Sequence, residues 1–146
     1  MIYYGNKHRS IELYQRNKNH VEQKYCYNNV FNIMNHDNEV LKKLMDGEWK
    51  VAYCFFNVFD EKNVYVRHAC FLDILSNEMI DATSPLLSTF KSRQNLKYWL
   101  IRAFSYEEYV SVMSEHYQTP ALDEYLKSKT ETVRAIMMKE NLITIG

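Results

Sequence analysis

The chain has 146 residues, 47% hydrophobic and 25% charged, which suits one folded domain, residues 1–146, with a core of its own. Its 18 basic and 18 acidic residues cancel, so no nucleic-acid partner is expected from bulk positive charge. Three cysteines without a CxxC pair argue against a disulfide framework, and neither a signal-peptide h-region nor an apolar run of the ~20 residues that cross a bilayer is visible, so a cytoplasmic protein off the membrane is expected.

Residues 10–23 are polar with scattered apolar positions, Ile11, Leu13, Tyr14 and Val21, and predict a weakly signalled helix. Over 26–45 the apolar residues Cys26, Val30, Ile33, Met34, Leu41, Leu44 and Met45 fall mostly at helical spacing. The NHDN run at 35–38 is placed to split this stretch into two helices, and Asp46-Gly47 is a stop. Residues 49–59 are rich in Val, Tyr and Phe and predict a strand, followed by a turn at 60–63. A second strand over 64–74, a turn at Ser76-Asn77 and a short strand over 79–82 complete an antiparallel meander that Thr83-Ser84-Pro85 ends.

Residues 86–95 read as a loop and 97–104 as a fourth strand, because Ser105 and Glu108 form a capping box that starts a helix afresh. That helix runs to about His116. Thr119-Pro120 reads as one more helix start, with Leu122, Leu126, Val133, Ile136 and Met137 on the last helical stretch. The expectation is an α+β fold: N-terminal helices on a small antiparallel sheet, then C-terminal helices.

Three residues stand out in order: Cys26 opening a helix, His68 on a strand and Asp81 at the end of the next strand. Helix-start amides and the helix dipole favour a thiolate. An imidazole takes and returns a proton, and a carboxylate holds it in the useful tautomer. Taken singly, each residue has a plainer reading: a small buried hydrophobe, a satisfied strand histidine and a turn residue. The backbone N–H of Cys26 is a candidate oxyanion donor, with Gln23 and Asn29 as weaker side-chain candidates. Zinc ligation by His68, Cys70 and Cys54 is disfavoured because no paired CxxC or HxxxH spacing exists, so no metal or cofactor is expected. Cys54 and Cys70 read as core residues.

The segments C-Y-x-N from Cys26, Gly47, R-H-A-x-x-x-D around His68, and I-D-x-T around Asp81 together resemble small papain-like proteins of bacteria and their phages. They are similar, more distantly, to transglutaminase-like thiol enzymes. Cys26, Asn29, Gly47, His68, Ala69, Asp81 and Thr83 carry the resemblance; Cys70 stands where an aromatic is usual and Ala82 where a proline is usual. The resemblance covers about 23–83, with a vaguer likeness around Tyr98 to Tyr109. It implies a papain-like fold, a Cys26–His68–Asp81 triad, and hydrolysis or acyl transfer at an amide of a protein or peptide. The rival expectation is a binding module without turnover, for example a phage protein that occupies a host factor with a tyrosine-rich surface.

Overall fold

A computed structural model describes residues 1–59 and 62–146. The turn expected at 60–63 therefore lies partly outside the described residues. The elements run β1 (Ile2–Gly5), α1 (Lys7–Asn17), α2 (Cys26–His36), α3 (Asn38–Met45), β2 (Trp49–Asn57), β3 (Val64–Asp73), β4 (Glu78–Ile80), β5 (Lys97–Phe104), α4 (Tyr106–His116), α5 (Lys127–Lys139) and β6 (Ile143–Ile145). Short 3-10 turns follow α1 and β4. Among the described residues, no helix is long and apolar enough to cross a membrane.

The helix boundaries follow local chemistry. Asn6 caps α1 by accepting from Arg9 N at 2.9 Å. Asp37 ends α2 and caps α3, accepting from Glu39 N and Val40 N, so the NHDN run divides two helices. Gly47 follows α3 with φ +76°, the left-handed conformation that ends a helix without strain only in glycine. Ser105 and Glu108 form the reciprocal capping box of α4. Thr119-Pro120 does not start a helix: 119–126 is built of turns, and α5 begins at Lys127.

The sheet overturns the papain-like fold expectation. Helices on an open antiparallel sheet are not what forms. Strand order is β2-β5-β1-β4-β3, and β3 pairs back onto β2, which closes a five-stranded barrel; β6 adds to the outer end of β3. Two pairings are parallel, β1 with β4 and β3 with β6. The α+β content stands, but the arrangement differs because β1, not read as a strand from the sequence, supplies the wall between β5 and β4. It lies so close that a Cβ on Gly5 would sit 2.9 Å from Leu96 Cβ. Closure also removes the exposed edges that an open sheet leaves unpaired.

Alternation along the strands sorts the core into layers. Ala52, Cys54 and Phe56 of β2, Cys70 and Leu72 of β3, Met79 of β4 and Tyr98 of β5 form one buried cluster in the barrel interior. A five-stranded barrel is narrow, and alanine and cysteine fit where larger side chains would not. The opposite face of β2 and β3 carries Val51, Tyr53, Ala69 and Phe71. They pack under α2, α3 and α4 through Val30, Ile33, Val40, Leu44, Tyr109 and Met113. Phe55, Trp99 and Ile101 face Val133 and Met137 of α5.

β3 leaves one opening in the wall. On the edge away from β2, its first residues Val64–Val66 pair with β6 and its last residues Phe71–Asp73 pair with β4. Between them lies the stretch carrying His68, and α2 packs against β3. The barrel interior and the start of α2 thus meet at one place.

Candidate functional site

His68 and Asp81 are joined directly: the ring Nε2 lies 2.7 Å from Asp81 Oδ2. The cross-strand register explains the meeting. Phe71 pairs with Ile80, so β4 ends beside β3, and the next residue turns back toward the ring three positions earlier. Both are buried, His68 8% and Asp81 1% exposed. A buried carboxylate is tolerable only with its lone pairs met. Here Oδ2 also accepts from Tyr98 OH at 2.8 Å, and Oδ1 accepts from Thr83 N at 3.1 Å. The Asp81 backbone N–H donates to Ser10 Oγ of α1, and Ser84 Oγ donates to the Asp81 carbonyl. Four segments therefore fix this one residue.

The imidazole is held as firmly. Phe56 lies 5.2 Å from it, ring centre to ring centre, and Tyr98 6.1 Å. Nε2 is committed to Asp81, so Nδ1 is the ring nitrogen that this bond leaves uncommitted, and Cys26 lines the same cavity as the ring. Burial disfavours the imidazolium, but the Asp81 charge, followed by interaction with Cys26, outweighs it. His68 holds its proton well above the usual imidazole range. Tyr98 is likewise pushed up, by burial first and by the Asp81 charge second, so its phenol stays protonated and remains a donor.

Cys26 is the first residue of α2 and is buried. The helix has Tyr25 at its cap position with no side-chain cap bond, so no side chain competes for the first amides. The preceding turn is shaped for this. Lys24 has φ +71°, a conformation costing on the order of 1–2 kcal/mol outside glycine. Asn29 holds the turn in place: its Oδ1 accepts from Glu22 N at 2.9 Å, and its Nδ2 donates to Glu22 O and to Thr83 Oγ1. Both amide hydrogens of this buried side chain are thus spent. Asn29 is a brace between the turn and the loop after β4. Gln23 is exposed and lines the cavity beside Cys26, where its amide is uncommitted to such a brace.

A cavity of about 320 Å³ opens over these residues, lined by Gln23, Lys24, Cys26, His68, Thr83 and Ser84 together with an apolar wall. Cys54 and Cys70 lie in the barrel interior, with Cys54 Sγ against the His68 carbonyl and Cys70 Sγ against Met79 Sδ, both at 3.7 Å. Burial pushes the Cys70 thiol up, so it stays protonated. Among the described residues, no three His, Cys, Asp or Glu side chains are grouped to hold a metal ion.

No family model, curated protein or solved structure matches this chain. The site is therefore argued from geometry. Tyr98 and Ser10 are the members that sequence reading missed. Tyr98 sits in a correctly expected strand, but nothing local separates it from the other eleven tyrosines. Its role exists only because β5 and β4 flank β1 in the closed barrel.

Proposed function

We propose that the protein is a thiol hydrolase or acyl transferase acting on an amide bond. The observation that carries this reading is the buried His68–Asp81 pair, with Cys26 at the start of an uncapped helix lining the same cavity as the imidazole. A structural histidine needs neither a carboxylate braced from four segments nor a thiol in the same cavity. The order of Cys26, His68 and Asp81 and their surroundings support this activity without a papain-like fold.

In this mechanism the Cys26 thiolate attacks the carbonyl carbon and the C–S bond forms. The developing oxyanion faces the Cys26 backbone N–H and the Gln23 amide. The C–N bond then breaks, and the His68 imidazolium gives its proton to the leaving amine. Water, or an acceptor amine, next loses a proton to His68 and attacks the thioester. The C–S bond breaks and the thiolate–imidazolium pair is restored. Asp81 keeps the ring oriented and balances its charge throughout.

The test is alkylation of Cys26 by iodoacetamide, followed by peptide mass. A free thiol with a pKa near ~8.5 is only a few per cent thiolate at pH 7, so the paired thiol should react about tenfold faster than a model thiol. His68→Ala should remove the advantage. Equal rates in the two proteins would discard the thiol mechanism. The binding-module reading gains support from the exposed Tyr25 one residue before Cys26. A Cys26→Ser variant that keeps the protein's full biological effect would decide for it.

A further inference from the structure

The cavity beside Cys26 has a composition that selects substrates. Its apolar lining includes Phe56 near the end of β2, Val58 just after that strand, Val66 on β3 and Leu87 in the loop after β4. Val58, Val66 and Leu87 are only half-buried, so their exposed parts give the cavity an apolar surface. The charged side chains lining the cavity are Lys24 and Arg67, both cationic; among the described residues no carboxylate lines it. Arg67 is anchored, donating to Asp123 Oδ1 at 3.0 Å and to the Ala121 carbonyl at 2.8 Å. Lys24 is exposed at the rim and, among the described residues, is in no ion pair.

We infer that the site takes an amide whose acyl side carries an apolar side chain, and that it rejects a cationic one. This rests on the thiol reading above and adds the substrate class to it. An aliphatic or aromatic side chain seated on Phe56, Val58, Val66 and Leu87 loses water from both surfaces. A lysine or arginine side chain there is desolvated beside Lys24 and the Asp123-paired Arg67, and among the described residues no carboxylate lines the cavity to meet it. The volume admits a side chain of leucine or phenylalanine size with the scissile carbonyl at the thiol.

Peptidyl vinyl sulfones differing only in the residue next to the warhead test this. The Cys26 thiolate adds to the β-carbon and the His68 imidazolium supplies the proton to the α-carbon, so nothing leaves and the peptide mass rises by the whole probe. The leucine probe should inactivate Cys26 at least about tenfold faster than the lysine probe, the scale of discrimination that one apolar pocket supplies. Val66→Asp, and separately Leu87→Asp, should shrink or invert that ratio, each compared with wild type after its thermal midpoint is recorded. A lysine probe equal to or faster than the leucine probe on the wild-type protein overturns the inference, whatever the variants do. Fast, His68-dependent iodoacetamide labelling without any leucine preference overturns the substrate class but leaves the thiol mechanism standing. Labelling indifferent to His68→Ala removes both.

Discussion

Tyr98 shows how a single buried hydroxyl sets the chemistry of its neighbours. It and His68 share Asp81 Oδ2, so the phenol withdraws part of the charge that the imidazolium would otherwise meet. Tyr98→Phe leaves that oxygen with one donor. The expected results are a cost of about 1–2 kcal/mol in urea unfolding and a His68 titration midpoint moved further up. Ring ¹⁵N shifts of labelled histidine report the midpoint, and a downward move would show that Tyr98 does not compete for the carboxylate. His68 also links the site to stability. Its proton is held more tightly in the folded state than in the unfolded chain, where the midpoint is about 6.5. That contribution is fully present below pH about 6.5 and fades as pH rises through the raised folded value. Unfolding free energy should therefore fall as pH rises above about 6.5 in the wild type, and the fall should be shallower in His68→Gln.

At the scale of elements, Asn29 and Asp37 each tie a helix to something beyond it. Asn29 reaches from α2 to the turn before it and to Thr83 after β4. Asn29→Ala leaves the Glu22 N–H and carbonyl without these partners. It should cost about 1–3 kcal/mol, speed hydrogen exchange at Glu22 and slow Cys26 alkylation, because the strained turn at Lys24 loses its brace. Unchanged exchange at Glu22 would mean that the turn holds itself. Asp37 caps α3 and accepts from Asn17 Nδ2 at 2.8 Å and from Arg16. The helix boundary at this position was legible in sequence, since an Asp between two apolar-periodic segments is an N-cap for the second. The bond to α1 was not, because nothing in the NHDN run points to Asn17. The expected helix at 10–23 likewise forms earlier, at Lys7–Asn17, because Asn6 is the residue able to cap it.

For the whole molecule, the deciding feature is closure. β2 pairs with β3 on one edge and β5 on the other, and β1 joins the far strands. Gly5 is where this succeeds or fails. Its N–H donates to the Leu96 carbonyl at 2.8 Å, and a Cβ there meets Leu96 Cβ, an atom that cannot swing aside. Gly5→Ala should destabilise by about 1–3 kcal/mol and loosen the wall behind the His68–Asp81 pair. It should be visible as a lower urea midpoint together with faster exchange across the β1–β5 pairs. A midpoint equal to wild type would show that β1 is a detachable addition and not part of the closure.

The sequence by itself determined the elements whose signals are local: the two helices split at Asp37, the capped start of α4, and the strands whose alternation marks one face as apolar. It also set the order of thiol, imidazole and carboxylate, because order along a chain is what sequence records. Tertiary structure decided the rest. Four residues of β1 carry too little periodicity to reveal that they bridge β4 and β5, and a strand's neighbours are not written in its own side chains. Closing the barrel turned an expected open sheet into a narrow interior. There Cys54 and Cys70 are packing, Tyr98 becomes a donor to Asp81, and a short β4 leaves an opening in the wall for α2 to set Cys26 beside His68. These roles depend on contacts between residues far apart in the chain, and those contacts exist only once the sheet has closed.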